Sequence, residues 1–433
     1  MSNSFTAERL SAAVEASMPL AQALFDEARA LTAGETGIDR EPYGKGEQLA
    51  LDLLSRTADE LGLEKRHDPY GNLYLTLPGT DRAAPAWLAG SHVDSVPGGG
   101  NYDGFAGVVA GITALAAFRH GDFTPPCDVT VMAIRAEELS AWYGGQHDGH
   151  IGSRAALGLL PAAELDTAIN SRGGKTLRAH MQEAGADPEA VARGAPYLAP
   201  AKYRGYLELH IEQGPVLEAR RIPTGVVSAI RGALRGRSCR CVGAYTHSGA
   251  VPHEHRSDAV MAAVELVHEL DREWARVREG GGDLVVTVGK FFTDAKQHAL
   301  TKVPGEVEFT LDIRSQDEQT MIAMQPLVQR LSSRIAEQRR VRFDFAPFSL
   351  LRPAVMDADF RERLLAGSRE LGIAAMEMPS GAGHDAQDFA NAGFRAGMIF
   401  VRNSHGSHNA LEAMDMADFA LGTRLLARML STL

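Results

Sequence analysis

The sequence has few cysteines, and their arrangement is informative. Only Cys127, Cys239 and Cys241 occur in 433 residues. An odd, sparse set supplies no disulfide framework and is typical of a reducing compartment, so we expect a cytoplasmic protein. Cys239 and Cys241 lie two residues apart in a predicted strand without the second ligand pair that zinc sites normally have. We interpret them as small strand residues.

The sequence also lacks an excess of positive charge and a long apolar run. The formal net charge of -11 argues against nucleic acid or an anionic membrane as the main partner. The longest apolar stretch, 105–118, is too short to span a bilayer. Charged residues at Glu8, Arg9 and Glu15 interrupt the place where a signal peptide would be apolar. We therefore expect a small-molecule substrate, with neither nucleic acid nor membrane as a partner.

The outer parts of the chain alternate between helix and strand patterns. Length alone favours two domains. Helices are predicted over 46–63 and 105–118, and short apolar strands end near His92, Ile134 and Ile211. This alternation predicts an α/β fold with a mixed, mostly parallel sheet that is covered on both faces.

The middle of the chain has a different pattern. Strands are predicted over 285–292 and 306–314, and the second alternates apolar and polar residues, as in a sheet with one covered face. Amphipathic helices are predicted over 257–279 and 317–340, with a kink at Pro326. We predict an inserted α+β domain over 216–330, which divides a discontinuous α/β domain into the segments 1–215 and 331–433.

Potential metal ligands follow the predicted strands. In open α/β sheets, ligands bind beyond the carboxyl ends of the strands. A glycine-rich loop can bring Asp103 back over the end of the strand that carries His92. The set of three imidazoles and three carboxylates suits two divalent ions, with zinc first and manganese, cobalt or nickel as alternatives. Its members are His92, Asp103, Glu137, Glu138, His210 and His408.

Each of these residues also has an ordinary structural interpretation. A histidine after a strand is usually a capping or solvated residue, and this chain has 15 histidines. A lone Glu-Glu pair is usually a solvated loop. The joint pattern is stronger than any member. Because adjacent residues in an extended chain point in opposite directions, one of Glu137 and Glu138 can bind metal while the other acts as a general base.

Five motifs follow one another along the chain. In order, they are GSHVDSVPGGG at 90–100 with Asp103-Gly104, the pair Glu137-Glu138, HIEQGP at 210–215, GAGHDA at 381–386 and Ser407-His408. They resemble the motifs of the hydantoinase/carbamoylase amidases, within the clan of zinc aminoacylases and carboxypeptidases. That family includes N-carbamoyl-L-amino acid hydrolases, β-ureidopropionases and allantoate amidohydrolases, and the resemblance covers nearly the whole chain.

The resemblance implies a role for each residue of the metal set. His92 and His210 would bind one metal ion, Glu138 and His408 the other, and Asp103 would bridge them. Glu137 would be the general base that later protonates the leaving nitrogen. Asp94 would lie behind His92 and fix its orientation. The resemblance also implies a homodimer joined through the inserted domain, which would act as a lid.

Substrate contacts are implied at residues outside the metal set. Arg314 matches an arginine that binds the substrate carboxylate, although it could instead pair with Asp312 on its own strand. His247 matches a histidine that polarises the scissile carbonyl, from the same subunit or across the dimer. The other candidates are Gln213 and His384, which structural hydrogen bonding would explain equally well, Arg235, and Thr301, which stands where the family has asparagine.

The chain departs from the family pattern beside the metal motifs. After Glu138 the family continues with Gly-Ser-Arg-Phe, whereas this chain has Leu139-Ser140-Ala141-Trp142-Tyr143 and a stretch rich in glycine and histidine. A further departure is His253 in the segment after His247. Trp142 and Tyr143 could contact substrate or pack within the loop. Compared with the family pattern, the metal-binding residues are intact, whereas the residues expected around the substrate are altered.

Three functions remain open from the sequence. The first is hydrolysis of a non-peptide C–N bond in a small carboxylate-bearing substrate, most simply an N-carbamoyl or ureido amino acid. The second is an aminoacylase or exopeptidase of the same clan, which the HIEQGP motif disfavours. The third is a non-catalytic protein that binds a small ligand on a hydrolase scaffold. The intact Glu137 argues against it, because a chain without chemistry has no need of that base.

Overall fold

The chain divides into two compact units. A computed structural model describes residues 5–144 and 147–432. The first unit consists of Met1–Ser228 and Met356–Leu433, and the second, inserted unit is Ala229–Val355. Both boundaries of the inserted unit lie later in the chain than those predicted from the sequence, which were at 215/216 and 330/331. The chain after 215 first contributes a further strand to the central sheet, and two strands after 330 still pair within the inserted unit.

Fourteen α-helices occur in the described residues. In chain order, helices α1 to α14 are Ala7–Thr32, Lys45–Glu60, Phe105–His120, Leu139–Trp142, Ile151–Ala156, Glu164–Thr167, Leu177–Glu183, Pro188–Ala192, Val216–Arg220, Ala259–Glu279, Glu318–Arg339, Ala358–Glu370, Asp385–Asn391 and Met416–Leu430. None of the helices in this described part is both long enough and apolar enough to cross a membrane.

Nineteen strands occur in the same residues. In chain order, strands β1 to β19 are Glu64–His67, Leu73–Leu77, Ala86–His92, Val129–Ile134, Tyr203–Ile211, Thr224–Ile230, Gly232–Val242, Thr246–His247, Val285–Thr287, Phe291–Thr293, Lys302–Val303, Glu306–Ser315, Arg342–Phe345, Ser349–Leu351, Ala354–Val355, Ala375–Ser380, Ala396–Val401, Asn403–Ser404 and Ala413–Met414.

The central sheet has nine strands and a parallel middle. Its order is β1-β2-β4-β3-β5-β17-β6-β15, with β16 also paired to β6. The four strands β4, β3, β5 and β17 run parallel to one another, and antiparallel strands flank them on both sides. The predicted α/β class with a mixed, mostly parallel sheet is confirmed. The carboxyl ends of β3, β4 and β5 therefore open on the same edge.

Helix α3 forms the centre of the first unit. All of its residues from Phe105 to Phe118 are buried, because it packs between the sheet and helices α1 and α14. Its alanines, glycines and valines allow that close approach on every side, which explains a helix without an amphipathic face. The predicted buried helix over 105–118 is confirmed, and its first residue directly follows the loop that carries Asp103.

The inserted unit is an antiparallel sheet with two long helices. Strands β10, β12, β7 and β13 lie side by side, with β9 on β12 and β14 on β7. Helices α10 and α11 pack on this sheet, and Cys239 and Cys241 are free thiols buried in the core between them. A separate two-stranded ladder joins β8 to β11.

One detail of the predicted inserted unit differs from the structure. The strand predicted over 285–292 is wrong as a single element, because β9 and β10 pair with different parts of β12. Between those two pairings, Lys290 exchanges hydrogen bonds with Thr310. Pro326 lies inside helix α11, and the kink expected there remains a prediction.

Candidate metal centre

Three neighbouring parallel strands deliver the first donors. His92 is the last residue of β3, Glu137 and Glu138 follow β4, and His210 lies at the end of β5. Because β4, β3 and β5 are adjacent and parallel, their carboxyl ends place these side chains at one edge. All four side chains are buried.

Asp103 reaches the same edge from the loop before α3. Its carboxylate oxygens lie 3.2 Å from His210 Nε2, 3.3 Å from His408 Nε2 and 3.7 Å from His92 Nε2. The next residue must be small, since a Cβ on Gly104 would stand 2.3 Å from the His92 ring, and its φ of +66° favours glycine. The loop can therefore bring Asp103 over the strand ends only with glycine at position 104.

The potential donors among the described residues form four groups, of which two share Asp103. One group is His92, Asp103 and His210, and the other is Asp103, Glu138 and His408. Within each group the ligand atoms lie within 4.8 Å of one another. His408 Nε2 also lies 3.0 Å from Glu138 Oε1. A shared carboxylate flanked by imidazole and carboxylate donors fits two adjacent divalent cations.

The histidine tautomers suit metal binding. Nδ1 of His92 lies 3.1 Å from the Asp94 carbonyl oxygen, and Nδ1 of His210 lies 2.8 Å from the Ile211 carbonyl oxygen. A carbonyl oxygen only accepts, so each ring carries a proton on Nδ1, and Nε2 is the nitrogen that can bind a metal ion. Both Nε2 atoms face Asp103 and each other, 3.4 Å apart.

Asp94 connects the ends of β3 and β4. Its carboxylate accepts the backbone N–H groups of Glu137 at 3.0 Å and of Glu138 at 2.8 Å. The carboxylate is 3.5 Å from His92 Nδ1, farther than the Asp94 carbonyl oxygen. Asp94 therefore touches His92 mainly through its backbone, while its side chain holds the two glutamates. Its predicted role in orienting His92 remains a prediction.

The ionisable donors shift one another's pKa values. Burial would raise the pKa of Asp103, but hydrogen bonds from His210 and His408 hold it well below its usual range. Burial raises the pKa of Glu138 to about 7. Hydrogen bonds to Asp103 and Glu138 raise the pKa of His408 to about 11.

Glu137 lies on the other side of this group, beside His150. Its Oε1 is 2.9 Å from His150 Nε2. Burial would raise the pKa of Glu137, but the charges of His150 and His92 lower it to about 2. The carboxylate is therefore ionised at neutral pH, the state that a proton acceptor requires.

Gln213 and His384 lie against the metal ligands. Gln213 Nε2 donates to both Asp103 oxygens, at 3.1 and 3.0 Å. His384 is buried, with Nε2 2.8 Å from Ser380 Oγ and its ring edge-on to His210 at a centroid distance of 4.5 Å. Both side chains make structural contacts here, and their predicted substrate contacts remain predictions.

The other predicted residues lie in the inserted unit, where they form two pairs. His247 on β8 is exposed, and its Nδ1 accepts the N–H groups of Gly249 and Ala250, both at 3.1 Å. Thr301 is next to it, since its carbonyl accepts the Ser248 N–H at 3.0 Å. Arg235 and Arg314 share a neighbour: Asp312 is the strand partner of Arg235 and lies 2.8 Å from Arg314 Nη2.

The side chains of the loop after Glu138 are buried against neighbouring residues. Trp142 and Tyr143 are buried at 1% and 2% exposure. Trp142 Nε1 donates to the Ser95 carbonyl oxygen at 2.6 Å, and the Arg172 guanidinium lies over its indole ring. Tyr143 Oη is 2.6 Å from His180 Nδ1. Of the two interpretations from the sequence, these contacts favour loop packing.

Several contacts of the site were not predicted from the sequence. Glu412 accepts the backbone N–H groups of Tyr102 and Asp103, and Ser407 Oγ lies 2.7 Å from Asp103. Glu208 accepts from Ser91 Oγ at 2.8 Å beneath the metal donors. The sequence could have indicated Glu208 as a site residue, because it lies two residues before His210 and so shares its strand face. Nothing in the sequence indicated Glu412, since Tyr102 and Asp103 are far from it along the chain.

Comparison with known proteins places this chain in a family. A model of peptidase family M20/M25/M40 matches residues 88–432, which include every proposed metal ligand. The chain belongs to that family. This M20 chain is also 32% identical to an N-carbamoyl-L-amino-acid amidohydrolase of Paenarthrobacter aurescens, over 92% of this chain and 93% of that one.

Two further proteins similar to this M20 chain belong to the group that the motifs resemble. It is 31% identical to an allantoate amidohydrolase of Escherichia coli, over 85% of this chain and 86% of that one. A crystal structure of a hydantoinase/carbamoylase family amidase from Burkholderia multivorans superposes with a TM-score of 0.85 at 25% identity, covering 95% of this chain and 97% of that one. The resemblance read from the motifs is confirmed.

Proposed function

We propose that the protein is a two-metal amidohydrolase that cleaves a non-peptide C–N bond in an N-carbamoyl or ureido amino acid. The observation that carries the proposal is the pair of donor groups sharing Asp103, with an ionised Glu137 alongside. The relatives named for N-carbamoyl amino acids and allantoate give the substrate class. Both name substrates in which nitrogen carries a carbamoyl or ureido group.

Two divalent cations per chain are part of the proposal. His92 and His210 would hold one, Glu138 and His408 the other, and Asp103 both. When bound, the cations supply the Lewis acidity that makes water a nucleophile near neutral pH. We propose zinc, with manganese, cobalt and nickel as alternatives because they accept similar ligands. Elemental analysis should find about two equivalents per chain, lost on dialysis against a chelator.

Glu137 is the residue that moves the proton. It accepts a proton from the attacking water and delivers it to the leaving nitrogen as the C–N bond breaks. With an N-carbamoyl amino acid and one water, the products are the amino acid and carbamic acid, which decomposes to ammonia and carbon dioxide. Atoms balance without a further reagent.

Side chains outside the metal set supply the remaining proposed substrate contacts. Because Nδ1 of His247 accepts two backbone N–H groups, the ring proton is on Nε2, which can donate to a scissile carbonyl. Gln213 directs its NH₂ group to Asp103, so its Oε1 faces away and can accept from the substrate. Arg314, with Arg235 and Thr301, would bind the carboxylate end, and His384 would line the pocket.

We propose that the inserted unit is both a lid and the dimer interface. Its edge strand β10 exposes Phe291 and Phe292, and helix α10 exposes Met261 and Val264. An apolar edge strand favours pairing with a second copy. Light scattering should give twice the chain mass of 46.5 kDa. Phe292→Asp should shift the protein toward monomer. Leu159→Asp should not, because Leu159 is also an exposed apolar residue but lies in the first unit.

A substrate panel tests the proposed reaction. Protein loaded with each metal is given N-carbamoyl amino acids, allantoate, N-acyl amino acids and dipeptides. We expect ammonia release from the first two classes and little cleavage of the others. Preferred cleavage of dipeptides or N-acyl amino acids would favour the exopeptidase or aminoacylase alternative. No cleavage by fully loaded protein would favour a ligand-binding role. The proposed setting is the cytoplasm, with small molecules as partners.

A further inference from the structure

His150 connects the proposed general base to a second carboxylate. Its Nε2 lies 2.9 Å from Glu137 Oε1, and its Nδ1 lies 2.7 Å from Asp388 Oδ2. All three side chains are largely buried, with 9 to 12% of each exposed. Because carboxylates only accept, both ring nitrogens must carry protons, so the ring is an imidazolium that donates in both directions.

The backbone places this histidine with little freedom. His150 N donates to the Glu137 carbonyl at 2.9 Å, and Ile151 N and Gly152 N donate to the carbonyls of Ala136 and Arg135. A Cβ at Gly149 would lie 2.0 Å from the Glu137 carbonyl oxygen. His150 itself adopts a left-handed conformation, with φ +62°. A non-glycine residue keeps such a conformation only when its surroundings enforce it.

Asp388 anchors the other end of the contact. It lies in helix α13, on the far side of His150 from the metal donors. Burial would lower the pKa of His150, but Glu137 and Asp388 together hold it well above its usual range. The charge sequence is therefore carboxylate, imidazolium, carboxylate. The Glu137 carboxylate is fixed through its Oε1 oxygen.

We propose that His150, held by Asp388, is a positioning residue that aims the Glu137 carboxylate at the water it deprotonates. The inference rests on the proposed function. Glu137 takes the proton on its other oxygen while the bond from His150 prevents rotation about the carboxylate torsion. The same oxygen then faces the leaving nitrogen. This device lies in the segment where the chain departs from the family pattern after Glu138.

A purely structural role for His150 would predict different behaviour. His150 also joins α13 to the loop after β4, so its loss could simply loosen the fold. A structural role would lower melting temperature and metal content together with activity. A positioning role would lower kcat while the metal content and KM stay near the wild type.

Four variants separate these roles. His150→Leu should lower kcat at least about 10-fold on N-carbamoyl-L-alanine or allantoate, whichever the wild type hydrolyses faster, with KM within about twofold. His150→Gln should recover much of that loss, because its amide N–H can still donate to Glu137. Asp388→Asn should fall between the two. His180→Leu, which breaks a hydrogen bond to Tyr143 in the same loop, should leave kcat unchanged.

An unchanged kcat in His150→Leu overturns the proposal, as does a glutamine variant no faster than the leucine variant. Crystal structures of zinc-loaded protein test it independently of turnover. The wild type should retain the Glu137–His150 contact of 2.9 Å, and His150→Leu should show Glu137 in another rotamer. If the wild type hydrolyses nothing in the panel, the proposed function fails, while these structures still decide whether His150 positions Glu137.

Discussion

Four non-glycine residues that are metal donors or lie close to them have a left-handed backbone conformation. They are Ala136, His150, Gln213 and His408, with φ between +58° and +62°. Each such residue costs of order 1 kcal/mol and persists only where the surroundings enforce it. All four lie in loops that aim a side chain at the site. Strain in these loops is consistent with positions set by chemistry rather than by folding.

Glu137 carries the most direct prediction. Glu137→Gln keeps the size of the side chain and removes its ability to accept a proton. Since general-base catalysis contributes about 10²- to 10⁴-fold, we expect a loss of that order in kcat. Metal content by elemental analysis should stay at two equivalents, because Glu137 is not among the proposed ligands. Glu64→Gln, an exposed glutamate on β1, is the control and should retain full activity. Turnover retained by Glu137→Gln would refute the role of the base.

Gly104 carries a prediction about metal binding. Gly104→Ala forces a Cβ to within 2.3 Å of the His92 ring and strains a backbone with φ +66°. Because His92 and the Asp103 loop must both shift, we expect metal content to fall below one equivalent and stability to fall by about 2 kcal/mol or more. Calorimetry and elemental analysis measure the two effects.

Gly185→Ala is the matched control for Gly104→Ala. Gly185 also has a positive φ, +79°, but a Cβ there would meet nothing within 4 Å. It should lose only the cost of the backbone conformation, about 1 kcal/mol, and keep its metal. Equal metal loss in both variants would show that Gly104 matters only for folding.

At the scale of elements, the ends of the parallel strands were predictable from the sequence. Strand β4 ends at Ile134 as predicted, and His92 and His210 lie at the ends of β3 and β5 as expected. The reason is physical: a buried parallel strand is an apolar run, and a polar residue that ends it must lie at the open edge of the sheet. Local pattern and function coincide there.

The loops between elements were harder to predict. The contact of Glu412 with the Asp103 loop and that of Asp388 with His150 join residues more than 200 positions apart. No local period encodes such a pairing. The split of the predicted strand 285–292 has a similar cause, because it depends on how β9 and β10 pair with β12, which follows them later in the chain. The unit boundaries also depend on distant strand pairing.

Asp94 joins two strand ends, and its substitution tests whether that connection supports metal binding. Asp94→Ala leaves the N–H groups of Glu137 and Glu138 without their acceptor, at a cost of about 1–3 kcal/mol for each buried group. We expect Glu138 to lose its position and metal content to fall by about half, because one of the two proposed cations depends on Glu138. Asp94→Asn, which keeps one acceptor oxygen, should lose less. Full metal content in Asp94→Ala would contradict this coupling.

At the scale of the molecule, the proposed machinery is divided between two units of the chain. The metal donors and Glu137 belong to the first unit, whereas His247, Thr301, Arg235 and Arg314 belong to the inserted one. His247 is exposed in the unit that also exposes the apolar β10 edge. We propose that in the dimer each site takes its His247 from the partner subunit.

Mixing two inactive variants tests this proposal. In a heterodimer of Glu137→Gln and His247→Asn subunits, one site receives both substitutions and the other receives neither, provided that His247 acts across the dimer. Random pairing makes half of the dimers mixed, each with one intact site of two, so co-expression should restore about one quarter of the wild-type rate. If His247 acts within its own subunit, every site carries one substitution and no activity returns. Adding Phe292→Asp to both chains should remove the restored activity by preventing pairing, which separates complementation from contamination by wild-type enzyme.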